Sequence, residues 1–285
     1  MPRHAPRAVL SRDTEPAAEH LQIALWRRMS PASRLRSAAA ASSGALRLCL
    51  AGIRMRQPGA EGSTRFLAFA RIRLGADIAA HLYCSPVLRD FEQGTTMDLV
   101  DVALLVAGAL DRTGLRYVVG GSLASSVSGE PRSTLDVDVM VEMTEEDVPA
   151  LLANLGEDFH TEPEGFARAI RNRSSVQIFH LSTATKVDLF VMGATPIEPE
   201  QMDRRVRVEI PDRRGAQLYV YTAEDILLQK LRWYRLGQEA SDRQWRDVLA
   251  IIAVQTDALD LAYLRGAASQ LGLSDLLERA LREAS

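Results

Sequence analysis

Apolar residues recur at helical spacing through the first third of the chain. The repeats that carry this pattern are Leu21, Leu25 and Met29 at four-residue steps, and Phe66, Phe69 and Ile72 at three-residue steps. Ser30 followed by Pro31 predicts an N-cap and the first residue of a helix that ends near Arg56. We therefore predict a loose tail over residues 1–14 and a small all-α module over residues 15–90.

After a linker over residues 91–97, the pattern changes to one helix followed by short runs in which apolar and polar positions alternate. The helix is expected from Asp98 to Leu110. The alternation predicts strands that begin near Tyr117, Asp136, Val176, Lys186, Val206 and Leu218. Residues 98–221 are therefore predicted to form an α/β core, in which helices flank a mixed sheet.

The last segment, residues 222–285, is helical in pattern throughout. Thr222 with Asp225, and Ser241 with Gln244, are typical of capping boxes at helix starts. The predicted fold class is therefore α+β: an N-terminal all-α module, a mixed-sheet core and a C-terminal helical bundle.

Composition places the chain among ordinary globular proteins, with 47% apolar and 25% charged residues. No apolar run approaches the roughly 20 residues of a membrane helix, and the N-terminus has no apolar segment typical of a secretory signal. Cys49 and Cys84 show no ligand spacing, which favours reduced thiols and a cytoplasmic location.

The net charge of −3 is unevenly divided. Residues 1–96 carry 14 arginines and 7 acidic residues, which gives +7, whereas the rest carries 20 basic and 30 acidic residues, which gives −10. A basic segment joined to an acidic one suggests mutual attraction or a nucleic-acid-binding arm, and solvated arginines explain it equally well. A helix-turn-helix around residues 56–62 and a module that docks on its own core or on a partner both stay open.

Three aspartates are predicted on one face of the sheet. Asp136 and Asp138 are two residues apart in one strand, so both side chains point the same way, and Asp188 takes the equivalent position in another strand. Aspartate is disfavoured in strands, and clustered carboxylates repel unless a cation neutralises them. Hard oxygen ligands of this kind suit Mg²⁺.

A glycine turn precedes these acids. Gly120 and Gly121 end an apolar strand and open a helix at Ser122, which is an arrangement that binds phosphate through backbone N–H groups. The Gly-Gly-Ser, Asp-x-Asp and later lone Asp, in this order, resemble the DNA polymerase β-type nucleotidyltransferases, and within them the bacterial AbiEii/AbiGii toxin-like proteins, over residues 97–283.

The resemblance implies transfer of a nucleoside monophosphate from a nucleoside triphosphate to a hydroxyl, notably at a tRNA 3′ end, by a toxin of a toxin–antitoxin or phage-defence system. Two Mg²⁺ ions, or Mn²⁺, are expected: Asp136 and Asp138 hold the nucleotide's ion and share the second with Asp188. Expected partners are the triphosphate, RNA, and either an antitoxin-like protein or the fused N-terminal module.

Further site residues are predicted around this centre. Arg132 and Thr134 match an arginine-x-threonine of the family, and Arg132 is expected on phosphate, on the acceptor or in a surface ion pair. Lys230, one of only two lysines, is expected on the nucleotide phosphates, with Asp247 as the completing acid and Arg243 one turn before it. A salt bridge between Lys230 and Asp247 is the structural alternative.

Other polar and aromatic residues receive structural roles. Lys186 lies on the Asp188 face and is expected to balance its charge. His160 and His180 have no ligand partners at useful spacing, and Trp233, Tyr234 and Trp245 are expected in the core. Rival functions are transfer to a protein or an aminoglycoside, an inactive relative, and a nucleic-acid-binding regulator.

Overall fold

A computed structural model of the chain describes residues 10, 14–83, 97–210, 212, 213 and 215–284. Most of the predicted tail, and the predicted linker up to residue 96, lie outside this part. Four helices form the N-terminal module: α1 (Pro16–Arg28), α2 (Pro31–Arg56), α3 (Gly62–Leu74) and α4 (Ala76–Leu82). As predicted, the Ser30 side chain caps α2 by accepting from the N–H of Ser33.

The buried face of α1 differs from the predicted stripe. Leu21 and Leu25 are 64% and 52% exposed, whereas Ile23 and Trp26 pack against α11 of the C-terminal region, which is defined below. Ile72 of α3 is likewise exposed, although Phe66 and Phe69 are buried as predicted. Residues at three-residue and at four-residue steps both form a stripe along a helix. The spacing therefore did not determine which face of α1 or α3 is buried.

The central region combines one mixed sheet with five helices. Its helices are α5 (Leu99–Thr113), α6 (Gly121–Ser128), α7 (Val148–Leu155), α8 (Pro163–Asn172) and α9 (Glu198–Arg204). Its strands are β1 (Arg116–Val119), β2 (Asp136–Glu142), β3 (Phe159–His160), β4 (Ser175–His180), β5 (Thr185–Val191), β6 (Val206–Glu209) and β7 (Gln217–Val220). The strand order is β3-β4-β5-β2-β1-β7-β6, and β2–β5 and β1–β7 are its parallel pairs.

The C-terminal region consists of α10 (Ala223–Leu236), α11 (Asp242–Gln255), α12 (Leu261–Gln270) and α13 (Ser274–Glu283). Thr222 and Ser241 cap α10 and α11 as predicted. The α+β fold class is therefore confirmed. One face of the sheet packs on α5, α7 and α8, and the other face packs on α10 and α11.

The N-terminal helices contact the central region closely. Leu35 of α2 belongs to the main hydrophobic core. Arg34 is 5% exposed and donates to the carbonyls of Val127, Trp26 and Met29, so it satisfies the ends of two helices at once. Within the described part of the chain, no helix has both the length and the apolar character that a membrane crossing needs.

Candidate active site

Two parallel strands place three acidic side chains on one face of the sheet. β2 and β5 pair in a register that sets Asp138 beside Asp188 and Asp136 beside Lys186. Val137 and its alternating neighbours are fully buried on the opposite face, in the main core. The predicted geometry, in which Asp136, Asp138 and Asp188 share one face, is therefore present.

Lys186 supplies a cation to this acidic face. Its Nζ lies 2.6 Å from Oδ2 of Asp188 and 3.7 Å from Oδ2 of Asp136. Burial favours the neutral amine, but the hydrogen bond that the ammonium donates to Asp188, together with the surrounding carboxylates, outweighs it and raises the pKa of Lys186. The prediction that Lys186 balances the charge of Asp188 agrees with these contacts. An incoming metal ion would compete with this ammonium for the same carboxylates.

The surroundings of Asp138 disfavour its ionised form. Its desolvation, together with the negative charges of Asp188 and Asp136, raises its pKa to about 6, although Lys230 and Lys186 act in the opposite direction. A raised carboxyl pKa means that the ionised form is poorly solvated where it lies. The site is therefore short of positive charge at Asp138 even with both lysines in place.

The glycine turn between β1 and α6 lies directly against Asp138. The N–H of Gly120 donates to the Asp138 carbonyl oxygen at 2.8 Å, so this N–H is already used and does not fit the predicted phosphate contact. Gly121 has φ +55°, and a Cβ there would lie 1.7 Å from Oδ2 of Asp138. Only glycine allows the turn and the carboxylate to be this close.

A buried ion cluster joins the turn to the C-terminal helices. Arg132 donates from Nε and Nη2 to the two oxygens of Asp247 at 2.7 and 2.6 Å, and from Nη2 to the Ser122 hydroxyl at 2.8 Å. Lys230 Nζ lies 2.8 Å from Oδ2 of the same Asp247. The predicted alternative of a Lys230–Asp247 salt bridge is thus present. Arg132 is in an ion pair too, but one that is largely buried.

This cluster contains two cations and one anion. Burial lowers the pKa of Lys230, and Asp247 only partly restores it. For Asp247, burial favours the neutral acid, but the hydrogen bond from Arg132 and the charge of Lys230 prevail and lower its pKa. The surplus positive charge lies beside the N-terminus of α6, where the first N–H groups have no partner within the helix. Both features favour an anion.

A cavity of about 300 Å³ opens on the turn, on Asp138 and on Lys230. Phe190 and Trp233 also line it, and their rings meet nearly edge to face with centroids 5.8 Å apart. Trp233 is 43% exposed, so the prediction that it lies in the core is wrong, whereas Tyr234 and Trp245 are buried as predicted. Hydrophobic spacing along α10 did not distinguish a residue facing a cavity from one facing the core.

The remaining predicted residues lie away from the cavity wall. Thr134 is buried, and its N–H donates to Ser42 of α2 at 3.1 Å, which gives it a structural role in docking the N-terminal module. Arg243 is exposed, and the residue of its helix that lines the cavity is Gln244. Two arginines that sequence analysis did not single out, Arg173 and Arg232, also line it. The abundance of arginine in this chain gave no signal for either.

Comparisons with known proteins give a few partial similarities. No protein-family model matches the chain, and no curated protein matches it significantly. It is similar to a solved antigenic nucleotidyltransferase-like protein from Paracoccidioides brasiliensis, with 20% identity over 63% of this chain and 92% of that one, at a TM-score of 0.38. It is also similar to the antibiotic-resistance factor ANT(2'')-Ia, with 14% identity over 64% of this chain and 97% of that one, at a TM-score of 0.40. At these values neither similarity determines an activity.

Proposed function

We propose that this protein is a metal-dependent nucleotidyltransferase, which moves a nucleoside monophosphate from a nucleoside triphosphate to a hydroxyl acceptor. The single observation that carries the proposal is the contact between Gly121 and Asp138, which sets a helix N-terminus directly beside an under-neutralised carboxylate. An anion-binding turn and a cation-binding acid this close together match one ligand: a polyphosphate with its divalent metal.

The donor set fits Mg²⁺ or Mn²⁺. Asp136, Asp138 and Asp188 offer hard oxygen ligands on one face, and burial together with the charge of Asp188 raises the pKa of Asp138, which a bound cation would counteract. Lys186 partly fills that need and would give way to the ion. When bound, the metal neutralises the triphosphate and makes the acceptor hydroxyl more acidic.

The chain's own residues bind and orient the substrates. Lys230 and the N–H groups at the start of α6 hold the phosphates, while Asp247 and Arg132 act as positioning residues for Lys230 and Ser122. The exposed Trp233 ring, which also lines the cavity, offers the base a stacking surface. Cavity size and lining are within the ordinary range for a small-molecule site.

The reaction is a displacement at the α-phosphorus. The acceptor oxygen forms a bond to this phosphorus, and its proton passes to the carboxylate of Asp188. The bond from the α-phosphorus to the oxygen that bridges to the β-phosphate breaks, and pyrophosphate leaves with the electron pair. Positioning and charge neutralisation supply most of the acceleration in such transfers.

The proposed acceptor is RNA, notably a tRNA 3′ end, and the proposed role is that of a toxin in a toxin–antitoxin or phage-defence system. The family resemblance suggests both. The net +7 of residues 1–96 supports RNA, because a basic segment adds sequence-independent affinity for phosphate backbones. The N-terminal helices pack against the central region, close to the turn that follows α6.

The test is incubation with Mg²⁺, each α-³²P-labelled triphosphate in turn, and total tRNA. Parallel samples replace tRNA with bulk protein or with an aminoglycoside. Asp136→Asn/Asp138→Asn removes the charges while keeping the side-chain volume, and Glu146→Gln, an exposed acid outside the cavity, is the matched control. Label on tRNA with the control but not with the double variant is the expected result. Equal labelling of tRNA by both variants would refute the proposed mechanism. Label found only on protein or only on the aminoglycoside would refute tRNA as the acceptor and identify the other one.

A further inference from the structure

A second group of metal-binding side chains lies at the β3 edge of the sheet, outside the nucleotide cavity. His81 is in α4, His160 ends β3, and Glu162 precedes α8. Within the described part of the chain, these three are the one group of at least three His, Cys, Asp or Glu whose ligand atoms all lie within 4.8 Å of one another. The three aspartates of the acidic face do not meet this spacing.

The distances within this group suit one shared ion. Oε1 of Glu162 lies 3.4 Å from Nε2 of His81 and 3.9 Å from Nε2 of His160. Ligand atoms around a tetrahedral Zn²⁺, with bonds of about 2.0–2.1 Å, are roughly 3.3 Å apart. The two measured distances exceed this spacing by about 0.1 and 0.6 Å, so a shift of about half an ångström by His160 or Glu162 would bring them to it.

His160 provides an independent indication. Its Nε2 atom is buried and makes no hydrogen bond with any residue of the described chain. Buried polar atoms without partners are uncommon, and an ion is one of their recognised explanations. An imidazole lone pair that faces a carboxylate oxygen is repelled by it unless a proton or a metal cation lies between them.

We propose that His81, His160 and Glu162 bind one Zn²⁺ ion, which ties α4 of the N-terminal module to the central region. Two imidazoles and one carboxylate are a ligand set that suits Zn²⁺. The group opens on a cleft of about 530 Å³ that includes Asp77, Arg168 and Gln177, which leaves room for water at the fourth position.

The protein holds the ligands close before any ion arrives. Tyr83 is the residue after α4, and its hydroxyl donates to the Leu181 carbonyl at 2.9 Å. Arg73 donates to the Ala184 carbonyl, also at 2.9 Å. These bonds hold α4 beside the β3 edge of the sheet without an ion. Sequence spacing gave His160 no partner because His81 lies far away along the chain.

The test is Zn²⁺ competition with a chromophoric chelator, using the full-length protein at about pH 8, where an ordinary histidine is neutral. We expect one Zn²⁺ per chain, and at least about tenfold weaker binding in His81→Ala and in His160→Ala. His20→Ala removes an exposed histidine of α1 and is the matched control, with unchanged affinity expected. Co²⁺ in place of Zn²⁺ should give the absorption of a four-coordinate ion in the wild type and lose it in His160→Ala.

Two results would overturn the site. One is equal Zn²⁺ affinity in the wild type and in both cluster variants. The other is the absence of saturable binding to the wild type, which would leave a histidine–glutamate ion pair that is held by protons. Nucleotide labelling of tRNA is expected to persist in His160→Ala, so the outcome is independent of the proposed transfer reaction.

Discussion

Replacing Gly121 by alanine is the sharpest single test of the nucleotide site. The new Cβ would stand 1.7 Å from Oδ2 and 2.5 Å from Cγ of Asp138, whereas real Cβ contacts are almost never shorter than 3.0 Å. Asp138 must therefore turn away or the turn must shift. Gly114→Ala is the matched control, because Gly114 also has positive φ, +77°, but has nothing within 4 Å of its would-be Cβ.

The two substitutions share one cost and differ in another. Alanine with positive φ costs about 1 kcal/mol of unfolding free energy at either position. At Gly121 alone the carboxylate is displaced by an ångström or more, and misplacement on that scale costs roughly 10²-fold in rate. This is about 2.7 kcal/mol of transition-state stabilisation. Gly114→Ala should keep its activity despite the same backbone strain.

The assay is kcat/KM for incorporation of labelled nucleotide into acceptor, alongside urea unfolding of both variants. We expect similar losses of stability, within about 1 kcal/mol of each other, and a loss of activity confined to Gly121→Ala. If Gly121→Ala and Gly114→Ala were equally active, the contact between the turn and Asp138 would have no part in the reaction, and the proposed function would lose its main support.

Four further predictions concern charge and domain packing. Asp138→Asn should abolish transfer yet stabilise the fold: because the pKa of Asp138 is raised to about 6, its ionised form is penalised above that pH. The gain should be about 3 kcal/mol at pH 8 and vanish near pH 4, as measured by urea unfolding at both values. Lys186→Met should tighten Mg²⁺ binding in calorimetry and Lys186→Arg should not, since only the first removes the competing cation; equal affinities would contradict this. Asp247→Ala should lower the free energy of unfolding by about 3 kcal/mol, because it leaves Lys230 and Arg132 buried without their anion. The double variant Asp247→Ala/Lys230→Met should lower it by less than the sum of the two single substitutions. Residues 97–285 expressed alone should be largely insoluble, because the buried surface under α2 becomes exposed; a soluble, cooperatively folded product would refute this.

Much of the fold could be predicted because apolar residues recur along the chain at the regular spacings of helices and strands. Alternation along β2 and β5 fixed the shared face of the aspartates, and capping residues such as Thr222 marked the helix starts. The two-residue strand β3 and the seven-residue helix α9 were missed, since elements this short hold too few positions for a period to appear.

The site was predictable only where its residues are local in sequence. The glycine turn and the Asp-x-Asp pair can each be recognised from a few neighbouring residues. The exposure of Trp233, in contrast, depends on which side of α10 faces the cavity. The contact of His81 with Glu162 depends on how α4 docks on the sheet. Neither is encoded in spacing along the chain.

The ammonium of Lys186 has a consequence for the order of events during synthesis. Because it is tethered two residues from Asp188, the negative patch carries its own counterion as soon as β2 and β5 pair. β2 and β5 can therefore pair without a divalent ion to neutralise Asp188. If the proposed metal ion binds, it must displace this ammonium from Asp188, and the lost contact would offset part of the ion's electrostatic gain. Under the proposed function, an ion that has to displace Lys186 would therefore bind less tightly than one that enters a carboxylate patch without a counterion.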